Sequence, residues 1–301
     1  MSVATNQSYE DLRPYLFTVA YRLTGSASEA EDLIQDAWVR YLDAGSPGVE
    51  SLRAYLTTII SRLSLDYLKS ARARREQYVG PWLPEPAMTG SGGRNGSDDP
   101  AIIVERADDV SMALLVLLDR LTPDQRVVYV LRESLCLPFE IIAAHIGRSV
   151  TASRQTFHRA RQRMTDESMP TTRAVSPALA RRFLHALEQA DAARLASLLS
   201  TDVVWVSDGG QARAAARNPI LGADRVSRGL AGIVSRFGDS HQRFTIEELN
   251  GEPGIIIWQG NAISTVIQWQ ASGDYIGTLW FSRNPVKLAH VARQLGTTIG
   301  R

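Results

Sequence analysis

Apolar residues near the start of the chain recur at the spacing of an amphipathic helix. Between residues 30 and 41 they fall at i, i+3, i+4, i+7, i+8 and i+11: Ala30, Leu33, Ile34, Ala37, Trp38 and Tyr41. Because an α-helix has 3.6 residues per turn, this spacing places them on one face. Ser28 and Glu31 fit a capping box at the start of the helix. A further long helix is predicted from about Glu50, after the Gly45–Gly48 turn, to Glu76.

The helical pattern is interrupted once and then resumes. From Gly80 to Pro100 the chain is rich in Pro, Gly, Ser and Asp, and residues 91–97 (SGGRNGS) are typical of a flexible linker. A helix is then predicted from Thr122 to about Ser134. Its start is a second capping box, Thr122–Gln125, with proline at the first helical position.

Two short helices follow, at Pro138–Ile146 and Ser149–Met164, with Gly147 at the sharp turn between them. The second helix buries one apolar side and carries polar residues on its outer face and flanks: Arg154, Gln155, Thr156, His158, Arg159, Arg161 and Gln162. From Arg148 to Arg163 there are five Arg, one His and no acidic residue. Such a helix fits the DNA major groove, where Arg and Gln read base edges and other Arg residues hold phosphates. A solvated basic helix in an ordinary helical hairpin is the alternative.

A second basic stretch lies at the end of the long helix, and aromatic residues stand close to it. Between positions 62 and 76 the basic residues outnumber Asp66 and Glu76: Arg62, Lys69, Arg72, Arg74 and Arg75. Basic side chains near Tyr55 and Tyr67 suit separated DNA strands, whose bases stack on rings. A charged helix end on the surface explains the same pattern.

The helix at Ala30–Tyr41 has an acidic exposed side, formed by Glu29, Glu31, Asp32 and Asp36. Acidic side chains are repelled by phosphate, so this face is not expected to meet DNA. It is either solvated or docks a basic protein partner.

The pattern changes after Met169 to a mixture of helices and strands. A helix pair is predicted from Pro177 to about Ser200, and another helix at Ala223–Phe237. Residues 263–270 alternate with the two-residue period of a half-buried strand. Further strands are predicted at Val203–Val206, Phe244–Leu249, Ile255–Trp258 and Tyr275–Phe281. This half is expected to be an α+β domain with a mostly antiparallel sheet.

Composition narrows the class of protein. The 301 residues suffice for about two domains, and the formal net charge of +1 says nothing by itself about nucleic acid. Cys136 is the single cysteine, which excludes an intramolecular disulfide or a thiolate metal cluster and favours a reducing compartment. The first nine residues lack a signal-peptide pattern, and the longest apolar run, Met112–Leu118, is too short to span a bilayer. We expect a cytoplasmic protein that does not contact a membrane.

The order of these modules resembles the extracytoplasmic-function sigma factors of the sigma-70 family. The segment Glu29–Trp38 (EAEDLIQDAW), followed by Leu52–Leu63 (LRAYLTTIISRL) and Asp66, is similar to their region 2. The segment from Leu121 through Arg161 is similar to their region 4. In that family, region 2 holds the polymerase clamp and opens the upstream edge of the transcription bubble, and region 4 reads the minus-thirty-five element.

The resemblance implies roles for individual residues. The polymerase-facing helix would contain Asp32, Gln35, Asp36 and Trp38, although Trp38 suits the core equally well. Contacts to the minus-ten element would come from the basic stretch: Arg62, Asp66, Lys69, Arg72, Arg74 and Arg75. Contacts to the minus-thirty-five element would come from the second short helix: Arg154, Gln155, Thr156, His158, Arg159 and Arg161. Many relatives carry Asn at the position of Arg62, so the resemblance does not specify the preferred minus-ten base.

Other motifs are similar to the sigma J type, the subgroup with a SnoaL-like C-terminal domain. Trp82-Leu83-Pro84-Glu85-Pro86 matches its linker signature, and its prolines and exposed Trp suggest that it docks on a folded domain. Asp208-Gly209-Gly210 keeps the first three residues of an Asp-Gly-Gly-Gly-Lys pattern. Asn284-Pro285-Val286-Lys287 has Val where relatives carry Asp. A strand turn at Asp208–Gly210 and a helix start at Asn284-Pro285 explain the same residues without a regulatory role.

An enzyme is the main alternative for the C-terminal half. Related folds act as polyketide cyclases through carboxylate and His pairs, and the candidate groups are Asp202, Asp208, His241, Glu247, Glu248 and His290. Fold analogy does not transfer chemistry, and no nucleotide-binding, nucleophile or metal motif occurs. A regulatory domain without cofactor, metal or catalytic residues is therefore preferred.

The sequence thus predicts a multidomain transcription initiation factor. Two all-α modules that bind DNA and polymerase, the second a helix-turn-helix, precede an α+β SnoaL-like (NTF2-like) curved-sheet domain. The expected ranges are 9–77 for region 2, 78–108 for the linker, 109–168 for region 4 and 175–301 for the C-terminal domain. The expected partners are core RNA polymerase and promoter DNA, and a small-molecule ligand of the C-terminal domain is left open. A ligand-responsive helix-turn-helix regulator and an enzyme with a DNA-binding arm are the rival functions.

Overall fold

A computed structural model describes residues 3–45, 49–75, 78–89, 110–166, 175–237 and 242–300. These residues form two compact units. The first contains residues 3–75, 110 and 114–166, and the second contains residues 78–89, 111–113 and 175–300. The predicted linker segment 91–97 lies outside the described residues, as do Glu76 and His241.

The first unit begins with three helices, α1 (Val3–Thr24), α2 (Ala27–Asp43) and α3 (Leu52–Arg75). The predicted capping box at Ser28 is wrong. The N-cap of α2 is Ser26, whose Oγ accepts a hydrogen bond from the Glu29 backbone N–H at 3.1 Å. The sequence Ser-Ala-Ser-Glu offers two serines near the start, and the earlier one takes the cap because the helix already begins at Ala27.

The second half of the unit is also helical. It contains most of α4 (Met112–Leu118), then α5 (Pro123–Tyr129), a π-helical turn (Val130–Ser134), α6 (Phe139–Ile146) and α7 (Val150–Asp166). The predicted capping box is confirmed, with reciprocal bonds between Thr122 and Gln125 at 3.0 and 3.3 Å. The helix-turn-helix is confirmed as well. Gly147 ends α6 with a positive φ of 66°, a conformation that glycine adopts without strain.

The two helical halves pack on each other within this unit. Helix α3 lies against α5 and α6, and α1 lies against α2 and α3. The Arg126 side chain of α5 is buried, and its Nε donates to the Arg22 carbonyl at the end of α1 at 3.1 Å. Its Nη1 forms an ion pair with Asp119 at 3.2 Å. A buried guanidinium thus joins region-2-like and region-4-like helices in one core.

The second unit is α+β, as predicted. Helices α8 (Pro177–Glu188) and α9 (Ala192–Leu198) precede a seven-stranded sheet, and α10 (Ala223–Phe237) and α11 (Pro285–Gln294) are inserted between strands. The strands are β1 (Leu199–Asp208), β2 (Ile220–Leu221), β3 (Gln242–Leu249), β4 (Glu252–Gln259), β5 (Ala262–Ser272), β6 (Tyr275–Ser282) and β7 (Thr298–Ile299).

The sheet order is β2-β1-β6-β5-β4-β3, with β7 paired to β5. The β1–β6 and β5–β7 pairs are parallel and the other pairs are antiparallel, so the expectation of a mostly antiparallel sheet is confirmed. One face packs on α8, α9 and α10 around Phe183, Trp205 and Trp269. The opposite face packs on α11 through Val266, Leu288 and neighbouring apolar residues. This second face carries the site described next.

Candidate functional site

Residues Tyr78–Thr89, here called the tether, lie on the C-terminal domain through backbone hydrogen bonds. The Leu83 N–H donates to Asp208 Oδ2 at 2.9 Å, and the Met88 N–H donates to Gln294 Oε1 at 3.1 Å. The Thr89 N–H donates to the Glu248 carbonyl at 3.2 Å, next to an antiparallel bridge between Met88 and Leu249. Residues 83–88 of the tether are buried. The segment therefore contacts the folded domain at both of its ends, and not only at the Trp82–Pro86 signature.

An ion pair between Asp208 and Lys287 forms the centre of this contact. Lys287 Nζ lies 2.6 Å from Asp208 Oδ2, and the side chains are 3% and 0% exposed. The same ammonium donates to the Leu83 carbonyl and lies 3.2 Å from the centre of the Trp82 ring. The Asp208 carboxylate, the Leu83 carbonyl and the Trp82 ring together compensate for the water that the ammonium loses on burial. The backbone N–H and the backbone C=O of Leu83 are therefore both bound by one buried ion pair.

Tyr78 adds a second contact to the same carboxylate. Its hydroxyl donates to Asp208 Oδ1 and accepts a bond from Asn284 Nδ2 at 2.8 Å. Burial, followed by the hydrogen bond to Asp208, raises the pKa of the Tyr78 phenol far above its usual range. The phenol is therefore a neutral donor at physiological pH, and Asp208 accepts from Tyr78, Leu83, Lys287 and the Gly210 N–H.

The two glycines after Asp208 are required by close packing. A Cβ on Gly209 would lie 2.3 Å from the Arg213 carbonyl oxygen, and one on Gly210 would lie 2.6 Å from Asn284 Nδ2. Gly210 also has a positive φ of 60°. Asn284 caps α11 by accepting from the Val286 N–H at 3.0 Å, so the predicted helix start at Asn284-Pro285 is confirmed. The turn and cap that explain these motifs locally also build the tether site.

Asn250 is a tether contact that the sequence did not predict. It is 0% exposed, and its backbone N–H donates to the Ala87 carbonyl at 2.9 Å. Its Oδ1 accepts from the Ala87 N–H at 3.1 Å and from Gln268 Nε2 at 2.9 Å. A signal was present, because Asn250-Gly251 between two strands is the strongest short hairpin pattern. Both residues have positive φ, at 54° and 77°. The turn was predictable, but its contact with a segment 163 residues away was not.

A pocket of about 410 Å³ opens beside the tether. It is lined by the tether residues Val79–Pro81, by the loop Gly209–Arg217 and by Ser207. Burial lowers the pKa of Arg213 in this loop, and the neighbouring Arg283 guanidinium lowers it further. Both guanidinium groups donate to backbone carbonyls, Arg213 to Ser264 and Gly300, and Arg283 to Ala214. These bonds fasten the loop that lines the pocket.

The candidate acid–base groups of an enzyme lie in different environments in the described part of the chain. Asp208 is engaged in the tether site, and His290 is buried in α11. Asp202 and Glu248 are exposed, Glu247 is half-buried on β3, and His241 lies outside the described residues. The observed bonds of Asp208 give it a role in packing.

The outer face of α7 carries the predicted minus-thirty-five contacts. Five of these side chains are exposed, namely Arg154, Gln155, His158, Arg159 and Arg161. Thr156 is half-buried, and its hydroxyl donates to the Ala152 carbonyl at 2.9 Å, so it is the member of the set that packs on its own helix. Arg154 lies 3.4 Å from Glu140 in an exposed pair, which solvent screens strongly. The guanidinium can therefore leave this partner at little cost.

The predicted minus-ten contacts lie on α3. Arg62, Asp66 and Lys69 are exposed on this helix. Arg62 donates to the Ala144 and His145 carbonyls of α6, each at 3.2 Å. Arg72 and its neighbours Arg74 and Arg75 continue the helix, but their side chains lie outside the described residues.

The predicted polymerase face on α2 is divided by the structure. Asp32, Gln35 and Asp36 are exposed together on one side of the helix. Trp38 is half-buried and stacks between Tyr9, at 4.1 Å between ring centres, and Tyr41, at 5.3 Å. The alternative that Trp38 belongs to the core therefore agrees with its position.

A helical module with an acidic exposed face on α2, followed by a helix-turn-helix and an α+β domain, is the arrangement expected of a promoter-specificity factor of RNA polymerase. The Sigma-70 region 2 model matches residues 8–74 and the Sigma-70 region 4 model matches residues 111–164. The chain belongs to the extracytoplasmic-function (ECF) RNA polymerase sigma factors. It therefore acts in promoter-specific transcription initiation with RNA polymerase, and the rival interpretation as an independent helix-turn-helix regulator is set aside.

Two curated relatives and one solved structure show how far the similarity extends. The ECF RNA polymerase sigma factor SigJ of Mycobacterium tuberculosis is 40% identical over 233 residues, which are 76% of this chain and 73% of that protein. A probable ECF RNA polymerase sigma factor, SigI, of the same organism is 31% identical over 94% of both chains. The crystal structure of M. tuberculosis SigJ superposes with a TM-score of 0.75 at 33% identity, covering 94% of this chain and 98% of that one. Within the described residues, no helix is long and apolar enough to cross a membrane.

Proposed function

We propose that the C-terminal domain regulates promoter recognition in cis by holding the tether between regions 2 and 4. The observation that carries this proposal is the capture of two tether peptide units on both their donor and acceptor sides. Leu83 is bound by Asp208 and Lys287, and Ala87 is bound by the backbone and side chain of Asn250. Such paired backbone bonds fix the path of a segment whatever its own side chains do.

The position of the tether in the chain gives this contact a functional meaning. It follows α3, which ends at Arg75, and precedes the region 4 helices that begin at Met112. A flexible connection sets the effective concentration of the second DNA-binding module once the first is bound. Fixing residues 78–89 shortens the part of the connection between regions 2 and 4 that can change conformation. The C-terminal domain would thereby change how regions 2 and 4 engage one promoter together.

Residue roles on the helical modules form the second part of the proposal. The exposed residues of α7 would read the minus-thirty-five element, and the basic end of α3 would meet the minus-ten element. Asp32, Gln35 and Asp36 would face the polymerase. Their exposure on three separate helix faces supports this division. No described side chain suggests a catalytic role, and the pocket beside the tether is the place where a small regulatory ligand would contact both the tether and the loop that holds it.

Run-off transcription with core polymerase tests the cis-regulatory proposal. Trp82→Ala removes the ring over Lys287, and we expect it to change initiation in the full-length chain. In a chain that ends at Ser168, where the docking surface is absent, the same substitution should have little effect. The four proteins form a double-mutant cycle. Leu221→Ala, at an apolar position of the C-terminal domain that is 57% exposed and outside the tether site, is the matched control and should leave initiation unchanged. A coupling energy of zero would leave the C-terminal domain without a regulatory role.

A further inference from the structure

Helix α3 of region 2 and helix α6 of region 4 are joined by a polar contact. Arg62 Nε donates to the His145 carbonyl and Arg62 Nη2 to the Ala144 carbonyl, both at 3.2 Å. Thr58 Oγ1 lies 2.8 Å from His145 Nε2. These four residues, here called the latch, bring a residue predicted to meet the minus-ten element onto the first helix of the helix-turn-helix.

The direction of the Thr58–His145 hydrogen bond follows from the other hydrogen bond that Thr58 makes. Its hydroxyl donates to the Ala54 carbonyl at 2.9 Å, so its lone pairs face His145 and the Nε2–H of the imidazole is the donor. His145 Nδ1 is buried and has no hydrogen-bond partner among the described residues. The neutral imidazole with its proton on Nε2 therefore satisfies this arrangement best.

Arg62 occupies the end of α6, where backbone acceptors lack helical donors. The Gly147 and Arg148 N–H groups both bond to the Ala143 carbonyl, which leaves the Ala144 and His145 carbonyls to the guanidinium. A cation at a helix C-terminus also interacts favourably with the helix dipole. The contact thus completes α6 and uses two donors of Arg62 that would otherwise be available to DNA.

Promoter geometry is incompatible with this contact. The minus-ten and minus-thirty-five elements lie about 25 base pairs apart, which is roughly 85 Å along a duplex at about 3.4 Å per pair. Modules joined by hydrogen bonds of about 3 Å cannot sit on both elements at once. Because the chain is a sigma factor, the latch has to open before both elements are bound.

We infer that Thr58, Arg62, Ala144 and His145 form an intramolecular latch that holds regions 2 and 4 in a closed state unable to engage a complete promoter. The latch competes with DNA for Arg62, so binding of the minus-ten element by region 2 also frees α6. This competition rests on the proposed minus-ten role of Arg62. The closed state itself rests only on the observed contact and the separation of the promoter elements.

A distance measurement on the free full-length protein tests the latch. The exposed native Cys136 of region 4 and an introduced Ala44→Cys after α2 take spin labels, and pulsed EPR reports the distance between them. Thr58→Val keeps the shape of the side chain and removes the acceptor for His145. We expect a longer and broader distance distribution, with the separated population increased about fivefold to tenfold, the range for loss of one such hydrogen bond. Thr58→Ser retains the hydroxyl and should behave as wild type.

Promoter binding gives the second readout. Neither Thr58 nor His145 belongs to the proposed DNA contacts, so Thr58→Val should speed binding of the polymerase holoenzyme to a promoter with both elements by a similar factor. It should not change binding to a fragment with only the minus-thirty-five element. An unchanged distance distribution in both Thr58→Val and His145→Ala would overturn the latch. That outcome would leave the cis-regulatory proposal standing, because the tether test does not involve these residues.

Discussion

Asp208 and Lys287 form a buried ion pair that holds both the N–H and the C=O of Leu83. The two residues come from β1 and α11, so strand, helix and tether meet at one charge pair. Removing one partner from a pair this deep leaves the other charge without water or a counter-ion. Docking of the tether is therefore coupled to the stability of the domain on which it docks.

Lys287→Met should destabilise the C-terminal domain by about 3–5 kcal/mol, the usual cost of leaving one buried charge unpaired. The double variant Asp208→Asn/Lys287→Met should lose much less, since no charge remains buried. Urea unfolding followed by tryptophan fluorescence measures both. A Trp38→Phe background removes the tryptophan of the first unit, so that the remaining five report on the tether and the C-terminal domain. Equal losses in the single and double variants would contradict the argument.

Gly210→Ala should loosen the tether, and its cost should exceed the cost of placing alanine in a left-handed backbone conformation. Gly210 and Gly260 have nearly equal positive φ values, 60° and 59°, but only Gly210 has a neighbour, Asn284 Nδ2, within 2.6 Å of a new Cβ. Gly260→Ala should therefore cost only the left-handed penalty of about 1–2 kcal/mol. Gly210→Ala should cost more and should also make residues 78–89 sensitive to protease. Similar free energies of unfolding for the two variants would show that the Asn284 side chain moves away from the new Cβ without a measurable cost.

The sequence predicted most of the helices, the main strands and the order of the modules, because their apolar periods are strong and local. It also pointed to Asp208, Asn284 and Lys287, through motifs that resemble one subgroup. It did not predict that Tyr78, Ala87 and Met88 belong to the same site. Ala87 and Met88 are bound through their backbone N–H groups, which leave no side-chain pattern, and Tyr78 lies outside the Trp82–Pro86 motif. The cap of α2 was misplaced for a different reason, because Ser26 and Ser28 both have a glutamate three residues later.

Asn250→Gly should release the tether around Ala87. Glycine keeps the positive φ of the turn, so the main loss is the side-chain oxygen that accepts from Ala87 and Gln268. Each buried donor left without an acceptor costs about 1–3 kcal/mol. Hydrogen exchange of the Ala87 amide should accelerate about tenfold or more, while amides in β5 and β6 far from the turn keep their rates. Unchanged exchange at Ala87 would mean that the backbone contact of residue 250 is sufficient.

Arg154→Ala and Arg159→Ala test the DNA face of α7. Loss of a base contact should cost about 1–3 kcal/mol and relax the preference at one promoter position, whereas loss of a phosphate contact should weaken all sequences equally and lower the salt slope by about one. Fluorescence anisotropy with promoter variants at several salt concentrations separates the two cases. Arg228→Ala, an exposed arginine of the C-terminal domain, is the charge-matched control. Wild-type binding by both variants would reassign the recognition face.

Acid should open the latch. Burial, and secondly the Arg62 guanidinium that faces His145 from α3, lower the pKa of His145. The closed state therefore binds fewer protons at this site than the open state, and its stability is present above the ordinary histidine pKa of about 6.5 and lost as the pH falls below it. Between about pH 7.5 and 5.5, the range that brackets this ordinary value, the separation of labels at Cys136 and Ala44→Cys should increase in wild type. His145→Gln should show no such pH dependence.

The long sequence separation of the tether from its anchors also fixes an order of events during synthesis. Leu83 and Lys287 are 204 residues apart, and region 4 lies between them in the chain. At about 5–20 residues per second, the ribosome needs roughly 10–40 s to synthesise the chain from Leu83 to Lys287. Regions 2 and 4 can fold during that interval, before α11 exists. Each newly made molecule thus begins without the Lys287 contact to its tether and acquires this contact last.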